Sequence, residues 1–226
     1  SFIIFSFSLQ HYFTAQNFFY VSDIQAFLFD LNGTIIDDMQ YHAKAWFDIL
    51  NNKLQANMSW DEVMVQLYGK NSELLERVFG VGKFTPQQMA DLEIEKEKSY
   101  QKAFLPFLKT IEGFKDFVSK ANEANIKMAI ASAAIPFNID FVLDGLKLRK
   151  YFSASVSAVD VVISKPHPET FLKAAQHLNI LPAHCIVFED APKGVEAAAN
   201  ANMRCIVITT MHPKEDFANY KNILFF

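Results

Sequence analysis

The sequence predicts an α/β protein: a mostly parallel sheet covered by helices on both faces, with a small all-helical insertion after its first strand. Three observations carry that reading. Short apolar runs bounded by turn signals recur at 26–29, 127–131, 152–158, 185–188 and 205–209, as strands buried on both faces do. Helical spacing alternates with them. Phe114, Phe117, Val118 and Ala121 stand at i, i+3, i+4 and i+7, and Phe171, Leu172, Ala175 and Leu178 follow much the same rhythm. Strands alternating with helices build a parallel sheet. Third, residues 38–102 carry no buried-strand pattern.

Taken in order, Ala26-Phe27-Leu28-Phe29 is the first strand, delivering Asp30 at its carboxyl end before a turn at Gly33. The insertion has two helix starts of capping-box type, Ser59-x-x-Glu62 and Thr85-Pro86-x-Gln88, with Gly69 and Gly80 as breaks. Leu105-Pro106 marks the return to the main domain. The strand at 127–131 ends at Ser132, that at 185–188 ends at Glu189-Asp190, and Lys165 precedes a helix opening with Pro166-x-Pro168. Asn202 suits a left-handed helix end. Residues 223–226 read as a final strand with no helix after it. The expected division is 1–22 as an extension, 23–37 and 103–226 as the core, and 38–102 as the insertion.

A chain of 226 residues, 51% hydrophobic and 20% charged, is a globular protein of about one and a half typical domains. Its net charge of −4, without a basic stripe, offers nothing to nucleic acid or an anionic membrane. Cys185 and Cys205 lie in apolar runs and read as core residues rather than a disulfide. The first 22 residues hold no Asp, Glu, Lys or Arg and are rich in Phe. Ser6, Ser8, Gln10, His11, Gln16 and Asn17 interrupt them, and no basic start precedes an apolar run. The expectation is a loosely docked extension rather than a signal peptide or anchor, on a cytoplasmic monomer.

Ligands of parallel sheets bind outside the carboxyl ends of the strands. There the sequence brings together Asp30, Ser132, Lys165, Glu189 and Asp190. A carboxylate nucleophile, a hydroxyl, a lysine and an acidic pair suit phosphoryl transfer, with carboxylates binding Mg²⁺ while Lys and Ser orient phosphoryl oxygens. Singly, each has a plainer reading: a helix-capping Asp, a solvated Lys, a turn Ser.

Phe29-Asp30-Leu31-Asn32-Gly33-Thr34, Ala131-Ser132-Ala133, Ser164-Lys165-Pro166-x-Pro168 and Glu189-Asp190-Ala191-x-x-Gly194 resemble the four signature motifs of the haloacid dehalogenase (HAD) superfamily. Tyr41-His42-x-x-x-Trp46 and the helical insertion resemble its β-phosphoglucomutase-like branch. The resemblance implies a Rossmann-like core under a helical cap. It implies that Asp30 attacks phosphorus and becomes an aspartyl phosphate. Asp30, the main-chain carbonyl of Asn32 and Asp190 would hold Mg²⁺, with Glu189 in support. Thr34, Ser132 and Lys165 would grip the phosphoryl group, and His42, Lys70, Lys96 and Ala133 would contact substrate. The implied substrate is a small phosphorylated metabolite such as a sugar phosphate, handled by a phosphatase or a phosphomutase.

The sequence departs from the family at Asn32, where the family carries an acid/base Asp. An amide cannot exchange a proton near neutrality, and losing general acid–base catalysis costs about 10²–10⁴-fold. If Asn32 is only a spectator hydrogen-bonder, Asn32→Asp is expected to raise turnover; if that variant instead lowers activity, His42 is the first candidate for the proton transfer. Two other readings follow: a phosphometabolite-binding protein with little turnover, and a metal-independent dehalogenase. The second is disfavoured, since Glu189-Asp190 beside Asp30 repel one another without a cation. After Gly69 the chain has Lys70-Asn71-Ser72-Glu73, without the branch's arginine. His42 reads either as a helix histidine packing on Trp46 or as a site residue. Lys96, within Glu93–Lys98, reads either as part of a solvated face or as a cap contact.

Overall fold

The structure, a computed structural model, describes residues 23–225, so the Phe-rich stretch 1–22 and Phe226 lie outside the described residues. Strands β1 (Ala26–Phe29), β2 (Lys127–Ala131), β3 (Ala154–Val156), β4 (Cys185–Glu189), β5 (Arg204–Val207) and β6 (Ile223–Phe225) form one sheet in the order β3-β2-β1-β4-β5-β6. Every pairing is parallel. β1 is buried along its whole length, and its side chains alternate between two cores. Phe27 and Phe29 face Phe114, Val118, Met128, Ile130 and Phe188, while Ala26 and Leu28 face Phe171, Ala175, Val187 and Val195. Phe29 stacks on Phe188 at 4.5 Å between ring centroids.

Helices α5 (Phe114–Glu123) and α6 (Pro136–Gly145) cover the first face, and α7 (Glu169–Leu178) and α8 (Pro192–Asn200) the second. The strand order reverses at β1, whose carboxyl end lies between those of β2 and β4. That reversal opens the crevice in which such sheets bind ligands.

Between β1 and β2 run α1 (Met39–Asp48), α2 (Trp60–Met64), α3 (Asn71–Phe79) and α4 (Pro86–Phe104). They bury a cluster of their own around Trp46, Leu50, Val63, Leu75 and Leu92. Both expected capping boxes form, at Ser59/Glu62 and Thr85/Gln88. The boundary expected at 102/103 falls inside α4, and Tyr100 and Phe104 already pack in the sheet-side core. α4 thus joins the insertion to the sheet-side core.

Three local readings change. Leu172 is 39% exposed and Ala174 takes its place in the core. The strands expected at 152–158 and 205–209 contract to Ala154–Val156 and Arg204–Val207. Asn202 adopts the expected left-handed conformation, with φ 56°. Cys185 and Cys205 are buried and unbridged, and burial pushes the Cys185 thiol up to about 11. No helix among the described residues is long and apolar enough to cross a membrane.

Candidate active site

Asp30 sits one residue beyond β1, its N–H bonded to the Phe188 carbonyl at 3.0 Å, so the sheet itself fixes its position. The Lys165 ammonium reaches it from the loop before α7. Nζ donates to Asp30 Oδ1 at 2.6 Å, to Glu189 Oε1 at 2.6 Å and to the Ala131 carbonyl at 3.0 Å. The other Glu189 oxygen accepts the N–H groups of Asp190 and Ala191 at 2.9 and 3.1 Å. Glu189 is therefore fully engaged in orienting Lys165 and the start of α8. Gly194 leaves room for this: a Cβ there would fall 1.9 Å from Glu189 Cδ. Gly194→Ala should displace that carboxylate and lower stability by about 1–3 kcal/mol, measurable as a fall in denaturation midpoint.

Thr34, fully buried, donates to Asp190 Oδ1 at 3.2 Å. It holds Asp190 rather than facing the cavity. Gly33 has φ 78° and passes so near Asp190 that a Cβ would lie 2.0 Å from Oδ2. Ser132 Oγ accepts the Ala134 N–H at 3.2 Å. Ser132 and Ala133 line a cavity of about 160 Å³ together with Asp30, Asn32, Lys165 and Asp190.

The charges do not balance. Asp30, Glu189 and Asp190 are buried around one cation, Lys165. Burial pushes Asp30 up to about 6, with Lys165 pulling it down and Glu189 adding to the rise. Burial, then Glu189 and Asp30, hold Asp190 well above the usual carboxylate range. Burial alone would lower Lys165, but Asp30 and Glu189 outweigh it and keep it charged. Among the described residues no three His, Cys, Asp or Glu side chains converge as a metal cluster. The set expected from the sequence is different, two carboxylates and a main-chain oxygen. The surplus negative charge at Asp30 and Asp190 fits a divalent cation there.

The insertion supplies the cavity's other wall. His42 is 6% exposed and stacks on Tyr100 at 3.7 Å, rather than resting half-exposed on Trp46. Lys96 and Glu97 are 3% and 2% exposed, so these two do not belong to the solvated face that Glu95 and Lys98 form beside them. Lys96 Nζ lies 2.6 Å from His42 Nδ1 and donates to Glu97 at 2.9 Å. On its other side the ring's Nε2 lies 3.2 Å from Asp38 Oδ2. Glu97 accepts further N–H groups from Asn71 and Asn138. Burial alone would raise Glu97, but Lys96 and His42 hold it below its usual value.

Lys70 behaves differently from the sequence expectation. Its ammonium donates to the Val161 carbonyl at 2.5 Å, clasping the insertion to the loop before Lys165. Beside it, Ser164 donates to Glu73 at 2.7 Å. Sequence reasoning missed Asp38, Asn71, Glu97, Tyr100 and Asn138, and also Lys193, which lines the cavity with its ammonium 3.2 Å over the Tyr68 ring.

A parallel sheet with a lysine-held carboxylate at its reversal point, beneath a helical insertion, defines a class, and the comparisons with known proteins agree. The family model of haloacid dehalogenase-like hydrolases matches residues 24–202. The chain is 30% identical to the fructose-1-phosphate phosphatase YqaB of Escherichia coli, over 79% of this chain and 93% of that one. It is 29% identical to the β-phosphoglucomutase of Bacillus subtilis, over 84% and 85%. A HAD hydrolase of family IA, variant 3, from Entamoeba histolytica superposes with a TM-score of 0.80 at 25% identity, covering 90% and 92%. The protein belongs to the haloacid dehalogenase-like hydrolase family and is an enzyme of that kind.

Proposed function

We propose that this enzyme transfers the phosphoryl group of a small phosphorylated metabolite to Asp30, as a Mg²⁺-dependent phosphatase or sugar phosphomutase. The observation that carries the reading is the Lys165–Asp30 contact at 2.6 Å, at the end of β1 and on the floor of the cavity. A carboxylate approaches a phosphate dianion only where positive charge is already in place. Lys165 supplies part of that charge, and Ser132 and Ala133 border the space a phosphoryl group would fill. Asp30, the Asn32 carbonyl and Asp190 are the proposed holders of Mg²⁺, with Glu189 in support. When bound, the cation would neutralise the phosphoryl oxygens and the crowded carboxylates. The names of the relatives support a sugar phosphate as the substrate class.

Asn32 cannot take or give a proton, so this site favours leaving groups that depart readily. His42 is the neighbouring side chain able to carry one, with Nε2 at 3.0 Å from Asn32 Nδ2. Asn32 also favours a second reading, a phosphometabolite-binding protein with little turnover. A panel of sugar phosphates assayed for phosphate release, with calorimetry in parallel, separates the two: binding without release supports the second.

The metal part has its own test. Mg²⁺ should raise thermal stability by linkage, about 2.7 kcal/mol at a hundred times its Kd. Asp190→Asn should remove most of that rise. An unchanged Mg²⁺ response in this variant would overturn the assignment of Asp190.

A further inference from the structure

We propose that Asp38 is a positioning residue of this site, matched to Asn32, and that it dictates an amide at position 32 and the direction in which that amide faces. The proposal rests on the phosphoryl-transfer reading above for its consequence, but its evidence is independent. Asp38 is fully buried, with 0% exposure. It stands at the N-cap position of α1, where an aspartate ordinarily bonds the helix N–H groups, yet its side chain makes no cap bond. Instead Oδ2 accepts from Asn32 Nδ2 at 2.6 Å and from the Tyr100 hydroxyl at 2.5 Å, and lies 3.2 Å from His42 Nε2. Oδ1 has no partner. A buried carboxylate left half-satisfied is costly, so this one is held where it is by the groups it orients.

Because a carboxylate only accepts, the end of the Asn32 amide facing Asp38 is the nitrogen. The amide oxygen is then left for the cavity, which Asn32 lines. Asn32 thus offers a ligand hydroxyl, or a water, an acceptor of fixed direction. A carboxylate at 32 would instead meet the Asp38 carboxylate at about the present 2.6 Å, in a region that already buries Asp30, Glu189, Asp190 and Glu97. Like charges at that separation, out of water, exclude one another. The acid at 38 and the amide at 32 are thus a matched pair. The single substitution Asn32→Asp, expected from sequence to raise turnover, is therefore the wrong variant; the matched one is Asn32→Asp with Asp38→Asn.

The test is a double-mutant cycle on the whole chain with two readouts. In thermal melts, Asn32→Asp should lower the midpoint by several degrees when Asp38 is present, and by far less in the Asp38→Asn background. Equal shifts in both backgrounds would overturn the pairing. In the second readout each protein is loaded with acetyl phosphate and Mg²⁺, and decay of the phosphorylated mass is followed by intact-protein mass spectrometry. The exchanged double variant should lose its phosphoryl group faster than native protein by about 10² or more, the general acid–base factor, and Asn32→Asp alone should gain less than a tenth of that. A single variant that matches the double one, or a double variant that regains stability with unaltered decay, would overturn the positioning role. Should no protein in the cycle take up a phosphoryl group, the phosphoryl-transfer reading fails, and the melts alone decide the pairing.

Discussion

Asp30→Asn should abolish phosphate release, by a factor on the order of 10⁶, as removal of a nucleophile does elsewhere. An amide in that place cannot form the acyl phosphate. The other nearby carboxylates are engaged: Glu189 holds Lys165 and two backbone N–H groups, and Asp190 holds Thr34. The same substitution should leave the fold intact. It deletes one of the crowded carboxylates while Lys165 keeps Glu189 at 2.6 Å. Burial pushes Asp30 up to about 6, so its charged form is disfavoured in the folded state. Hence at pH 7 the variant should melt at or above the native temperature, and acetyl phosphate should add no mass to it. Phosphate release that survives, with an unchanged melt, would overturn the aspartyl-phosphate mechanism. Loss of both release and fold would show that Asp30 is needed first for structure.

How far the sequence reaches depends on which interactions are local. The sheet was legible because a strand buried on both faces has little freedom of composition: Ala26–Phe29 cannot be other than apolar. The carboxyl-end residues followed from the sheet, since parallel topology brings Asp30, Ser132 and Glu189 to one edge. Leu172 was misjudged because its apolar bulk drew it into the stripe although it stands at i+1 from Phe171, while the i, i+3, i+4, i+7 spacing selects Ala174 with Ala175 and Leu178. The network on the insertion was legible only in part. Glu93–Lys98 has the composition of a solvated face, yet Leu92, Lys96, Tyr100 and Phe104 are spaced four apart and all are buried. A lysine inside an apolar stripe was the available signal. Asp38 carried none, because an aspartate opening a helix is ordinarily a cap, and its actual partner Tyr100 lies 62 residues away. Lys70 was expected to contact substrate, while its carbonyl acceptor at Val161 depends on how insertion and sheet meet.

Lys165→Ala should cost both rate and stability, and the two losses should part company with pH. On rate, losing an electrostatic donor at the reacting group should cost about 10²–10³ in kcat. On stability, removing one partner of a buried ion pair typically costs about 3–5 kcal/mol, because the charges left behind are uncompensated. Lys165 and its two partners are all largely buried, so that range applies. Asp30 is already held up to about 6 with Lys165 beside it, against an ordinary value of 3.8, and without the lysine it must rise further. A carboxyl group that binds its proton more tightly folded than unfolded gives stability that is full below the unfolded value and is lost as pH rises through the folded one. The gap between variant and native protein should therefore be smallest and nearly constant below about pH 6, and widen as pH rises through that value and beyond it. Mg²⁺ should narrow the gap at pH 7 by restoring positive charge between the carboxylates. Denaturant titrations of native and variant protein at several pH values, with and without Mg²⁺, measure all of this. A stability cost that does not vary with pH would mean that Lys165 acts through packing against Phe171, 4.6 Å away, and not by neutralising Asp30 and Glu189.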